Sequence, residues 1–166
     1  MGNLVFIDWI HILLIGALMY LAYVDLRTFR LPDVITLPLI LSGLLVSGFS
    51  NQGLVSFQDS VIGAILGYTS LWLLNLLYRL AQKQDGIGMG DAKLLAALGA
   101  WFGWYSLPGV LLIASLSGLL GGLIWLRWNK QNHRSAFPFG PFLAIAGIIE
   151  LLWPQTLQTL LLNKLI

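Results

Sequence analysis

The sequence predicts an all-α fold: a polytopic membrane bundle of about six transmembrane helices, with its N-terminus outside and its functional loops in the cytoplasm. Three observations lead there. Of the 166 residues, 58% are apolar or aromatic and only 10% are charged, well under half of the roughly 25% charged share of soluble chains. The apolar residues fall into runs near the length that crosses a bilayer. The basic residues then gather on one side once those runs are counted as spans. The runs recur along the whole chain without a Pro/Ser/Gly linker or charge block between them, so a single domain is expected over residues 1–166. A formal charge of +2 gives no reason to expect nucleic acid. With no cysteine in the sequence, disulfides, thiolate metal sites and cysteine nucleophiles are excluded.

The first run, Trp9 to Val24, follows a start without Lys or Arg and is not followed by an evident small-residue cleavage site, so it reads as a retained helix. Phe6 stands where a myristoylation pattern needs Ser or Thr. The second run is Val34 to Phe49 and the third Val61 to Tyr78. The fourth, Leu94 to Leu126, has 33 residues and is too long for one span. Trp104, Tyr105 and Pro108 at its middle suit an interfacial turn, which divides it into two short helices. The last run is Phe137 to Trp153, and the tail from Pro154 extends it or lies on the surface. On this count the inner loops hold Arg27, Arg30, Arg79, Lys83, Lys93, Arg127, Lys130 and Arg134, leaving only Lys164 outside. Three GxxxG pairs, Gly63/Gly67, Gly99/Gly103 and Gly118/Gly122, offer close helix packing in lipid.

The same topology sorts the acids. Asp8, Asp59 and Glu150 belong toward the outer side, and Asp25, Asp33, Asp85 and Asp91 at the inner boundary. Asp25 closes the first run and Asp91 opens the fourth, so two carboxylates 66 residues apart share one membrane depth at helix ends. Two aspartates that share a proton can activate water while polarising a carbonyl, and they need neither Cys nor a Ser/His pair. Asp91, following Gly90 at a helix start, is expected as an N-cap that favours its carboxylate form, which makes it the candidate base. Asp25, at a helix end, is expected to hold the shared proton. Gly88 and Gly90 allow backbone to approach an extended peptide. By itself GxGD fits a flexible loop and a capping Asp equally well, and Asp25 beside Arg27 and Arg30 fits a solvated interfacial group. A metal is not expected, because the histidines, His11 and His133, form no cluster with metal-ligand spacing. His11, Asn75, Glu150 and the tryptophans are read as structural.

Three blocks, "DLRTFRLPD", "GMGDAKLLAALGAWFGW" and "FPFGPFLAIAG", together resemble the type IV prepilin peptidases and occur in that family's order. The resemblance implies a bacterial inner-membrane aspartic protease of the GxGD type. It would cut the basic leader from prepilins or pseudopilins after a glycine, on the cytoplasmic side. It implies Asp25 and Asp91 as the catalytic pair, with Gly88, Gly90 and Lys93 in the motif block. Pro138 and Gly140 of "PFGP" would form a turn whose backbone lines the site. Asp33 occupies an Asn/Asp position after the proline and is not expected to be catalytic; with Asp85 it is expected to attract a basic leader. Many members carry a cysteine-containing region ahead of the first block and also methylate the new N-terminus with S-adenosylmethionine. Here the first block arrives at residue 25 and cysteine is absent, so proteolysis without a tetracysteine zinc site or other cofactor is expected, with S-adenosylmethionine not an expected partner and methylation left open. The expected partners are the prepilin and the lipid bilayer. Two other readings stay open: a small transporter or proton channel, since boundary acids often mark ion paths, and a non-catalytic subunit that binds pilins without cutting them.

Overall fold

A computed structural model describes residues 2–49, 54–83, 88–129 and 138–154, with side chains for these except 2–8, 125, 126, 128 and 129. Asp85, Lys130, His133, Arg134, Phe137 and Lys164 lie outside the described residues, and the side chains of Asp8, Trp125 and Trp128 are likewise not described. The described residues form six α-helices and no strand: α1 (Gly2–Thr28), α2 (Asp33–Phe49), α3 (Phe57–Gln82), α4 (Met89–Phe102), α5 (Leu107–Asn129) and α6 (Gly140–Leu152). Three segments, Trp9–Thr28, Phe57–Gln82 and Trp104–Ile124, are long and apolar enough to cross a membrane. The helices α2, α4 and α6 are shorter. The long fourth run does divide: α4 stops at Gly103, whose φ of 77° favours glycine, and a 3₁₀ turn over Trp104–Ser106 leads into α5.

Helix α4 is the axis of the bundle. From Asp91 to Phe102 only Lys93 escapes burial, as expected of a helix apolar on every face. Helices α2, α3 and α6 pack around it. The α3 contact is the closest, because its buried stripe is Ser60, Gly63, Gly67, Leu71 and Asn75, mostly small residues one turn apart. Gly63 and Gly99 face each other directly, each with the other's backbone where a Cβ would sit, and Gly67 lies on the backbone of Leu95 and Ala96. The Ser60 hydroxyl donates to the Ala100 carbonyl across the same contact. On the other flank Gly43 of α2 lies against Ala100 and Trp101, and the Trp101 indole N–H donates 2.9 Å to the Leu39 carbonyl. Gly118 of the third GxxxG pair receives Phe139, and its neighbour Gly121 receives the Phe142 ring.

The helices alternate in direction, so the ends of α1, α3 and α5 meet the starts of α2, α4 and α6. At the opposite end, Ser56 caps α3: its hydroxyl oxygen accepts the Asp59 N–H at 3.2 Å and the hydroxyl is 2.6 Å from Asp59 Oδ2. Asp59 Oδ1 accepts the Trp104 indole N–H at 3.1 Å. A cavity of about 100 Å³ beside Leu54, Val55, Phe102 and Ser106 places buried Glu150 at that end as well. The described acids thus divide between the two ends as the topology requires.

Candidate active site

Helix α1 buries Leu14, Leu18, Leu21 and Asp25. Their spacing of four, three and four residues puts them on one helical face, so Asp25 points inward where the aliphatic stripe ends. The helix closes just beyond it. Phe29 adopts a left-handed φ of 52°, and its N–H donates 2.8 Å to the Asp25 carbonyl. The Thr28 hydroxyl lies within reach of the Val24 and Arg30 carbonyls, at 2.9 and 3.0 Å. Pro32 then starts α2, its carbonyl accepting from the Ile35 and Thr36 N–H groups.

Asp91 arrives from the other side. The N-cap of α4 is Gly88, in extended conformation, and the Asp91 N–H donates 3.1 Å to the Gly88 carbonyl. This corrects the capping expectation: Asp91 lies inside the first helical turn. It remains close to the positive end of the helix dipole, but its side chain is not the cap. Asp91 is 9% exposed and Asp25 4%. The two carboxyls line one cavity of about 220 Å³, together with Phe29, Arg30, Leu31, Gly88, Met89 and Gly90.

The two glycines of the motif do different things. A Cβ at Gly90 would come within 2.8 Å of the Leu31 Cβ, so the α1–α2 turn rests directly on Gly90. At Gly88 the nearest atom is Asp91 Oδ2 at 3.5 Å, leaving open space beside the carboxylate. The "PFGP" segment reaches the site through its backbone: the Gly140 N–H donates 3.1 Å to Asp25 Oδ2. That bond occupies one of the two oxygens of Asp25. Pro138 is buried two residues earlier and Gly140 touches Asp25, yet neither forms the cavity wall among the described residues. Lys93 does not line the cavity either; its Nζ is 2.6 Å from Asp33 Oδ1. Asp33, expected to attract a basic leader, thus pairs with a cation of the chain itself.

Sequence reasoning missed Phe29, Arg30, Leu31 and Met89 as cavity residues and the contact of Asn75 with the motif. Phe29, Arg30 and Leu31 all stand inside "DLRTFRLPD" and Met89 inside "GMGDAKLLAALGAWFGW", so those blocks were the available signal. Asn75 is buried on α3, and its amide lies 3.9 Å from Met89 Sδ, at the first residue of α4. Among the described residues no group of His, Asp and Glu is arranged to hold a metal ion.

Fold and site together define a helical membrane protein whose two buried carboxylates, from different helices, meet in a small cavity at one end of the bundle. The Type IV leader peptidase family matches residues 12–123, and the chain belongs to that family. Among similar proteins, the prepilin leader peptidase/N-methyltransferase of Pectobacterium carotovorum subsp. carotovorum is 44% identical over 145 residues, covering 87% of this chain and 51% of its own. The protein of the same name from Aeromonas hydrophila is 46% identical, covering 88% and 50%. That from Pseudomonas aeruginosa is 45% identical, covering 86% and 48%. The chain therefore spans about half the length of these relatives. No solved structure matches it.

Proposed function

We propose that the chain is a multi-pass endopeptidase of the bacterial inner membrane that removes the basic leader of a type IV prepilin or pseudopilin. The cut falls after a glycine on the cytoplasmic side, with Asp25 and Asp91 as catalytic residues. The observation that carries this reading is their convergence: acids 66 residues apart, on helices with little direct contact, line one cavity in a leader peptidase family member.

In the mechanism the dyad shares one proton. The ionised carboxylate takes a proton from water as the water oxygen attacks the scissile carbonyl, while the protonated partner hydrogen-bonds the carbonyl oxygen. Collapse of the tetrahedral intermediate breaks the C–N bond, and a carboxyl delivers a proton to the leaving amine. The Gly140 N–H fixes the Asp25 carboxyl throughout. The extended backbone at Gly88 offers main-chain groups to a peptide strand. The described basic residues Arg27, Arg30, Arg79, Lys83, Lys93 and Arg127 fall at the dyad end of the bundle, supporting a cytoplasmic site.

The test is cleavage of a purified prepilin in liposomes by wild type, Asp25→Asn and Asp91→Asn, with product masses. A single cut lost in both folded variants is expected; retained cutting by either one refutes the dyad. A product heavier by one methyl would extend the second activity in the relatives' names to this chain.

A further inference from the structure

Helices α1 and α4 make little direct contact, so the distance between the acids they carry is set indirectly, through α6, which packs on both and holds Asp25 by the Gly140 amide, and through the α1–α2 turn. We propose that the Asp33–Lys93 ion pair is a positioning latch: it clamps the α1–α2 turn onto the start of α4 and thereby holds Asp25 opposite Asp91. This inference rests on the aspartyl peptidase reading.

The latch has three parts. Lys93 follows Asp91 by two residues and is the only one from Asp91 to Phe102 that is not buried. It therefore leaves the bundle at the level of the site, and its Nζ lies 2.6 Å from Asp33 Oδ1. Asp33 opens α2 two residues after Leu31, which packs on Gly90 and forms part of the cavity wall. The turn between is pinned at both ends, by the Phe29 N–H on the Asp25 carbonyl and by the Pro32 carbonyl under the first turn of α2. A short pinned turn transmits displacement, so releasing Asp33 lets the Leu31 contact with Gly90 loosen and shifts Asp25 with it. As an exposed ion pair it contributes little to stability. Its effect is on alignment, where an error of about 1 Å costs on the order of a hundredfold in rate. Asp33 and Lys93 are positioning residues on this account.

The experiment measures kcat and KM for prepilin cleavage by the full chain in liposomes. The variants are Asp33→Asn, Lys93→Met, the double variant, and the charge-keeping Asp33→Glu and Lys93→Arg. The expected result is a fall in kcat of about tenfold in each neutralising single variant, with KM within about twofold. The double variant should be no slower than the slower single, because both break one contact. Asp33→Glu and Lys93→Arg should recover most of the rate. Losses that multiply in the double variant, or that appear only in KM, overturn the latch. Asp33→Asn at the wild-type rate overturns it too, and would mean that Lys93 acts through its own charge. Asp33 is 56% exposed, so Asp33→Asn is the variant least prone to misfold and decides the matter if Lys93→Met does not fold. Cleavage retained by Asp91→Asn, or no cut by wild type, overturns the peptidase reading itself and is distinct from a cutting wild type whose Asp33→Asn variant is unchanged.

Discussion

Replacing Gly140 by alanine adds one methyl group against the carboxylate of Asp25. The new Cβ would stand 2.7 Å from Asp25 Oδ2, 3.0 Å from its Cγ and 3.3 Å from its Cβ, where ordinary contact begins near 3.4 Å. A displacement of about 0.7 Å is needed to relieve the shortest of these, and Asp25 at 4% exposure has little room to take it. The backbone of Gly140 is not left-handed, so alanine brings no strain of its own and the clash with Asp25 is the perturbation. Two consequences follow: the Gly140 N–H bond to Oδ2 lengthens, and the dyad loses its alignment. The expected loss in kcat is about a hundredfold, with roughly 1–3 kcal/mol of overpacking cost. The assay is prepilin cleavage in liposomes with a thermal melt on the same sample, and Gly16→Ala is the control because a Cβ there meets nothing within 4 Å. If Gly140→Ala keeps kcat within about threefold of wild type, the reasoning that places Asp25 by this amide is refuted.

The two motif glycines should separate by kinetics. Gly90→Ala drives a Cβ into Leu31 at 2.8 Å and is expected to lower kcat, whereas Gly88→Ala fills open space beside Asp91 and is expected mainly to raise KM; the reverse pattern would contradict the assigned roles. Gly63→Ala or Gly99→Ala puts a methyl onto the opposing helix backbone, which lacks a flexible group to yield, so a lower melting temperature is expected in both, and an unchanged melt would rule out the close α3–α4 contact. Trp101→Phe removes the indole N–H from the Leu39 carbonyl and should cost about 1 kcal/mol without a specific change in KM, as read by denaturation and cleavage together.

Composition and the basic residues made the six-helix bundle legible, and the aromatic turn at Trp104 marked where the long fourth run divides. The depth of Asp25 and Asp91 followed from helix ends. Their azimuth did not, although a signal existed: Leu14, Leu18, Leu21 and Asp25 share one face. In a helix that also carries Ile12, Leu13 and Met19 toward the outside, lipid and core select the same residue types, so the stripe does not stand out against its surroundings. The capping reading of Asp91 failed for a local reason, since Gly88 can cap through backbone conformation alone and the helix begins earlier than the acid suggests. The Gly140 contact was legible only as a turn in the right block, because a backbone N–H carries no side-chain signature. The Asp33–Lys93 pairing joins residues 60 apart and depends on helix packing that neither local sequence contains.

Helix α4 also fixes a depth. Its 14 residues rise about 21 Å, whereas the hydrocarbon of a typical bilayer is about 30 Å thick. If Trp104 and Tyr105 at its far end take the interfacial position that aromatic residues favour, the near end that carries Asp91 stops about 9 Å short of the other hydrocarbon surface. On that placement the cavity of Asp25 and Asp91 would open beneath the headgroups, reached through a polar recess or a local thinning of the lipid. On the proposed function the acyl chains would then set how far a leader must descend to be cut, and rates would differ between bilayers of different thickness.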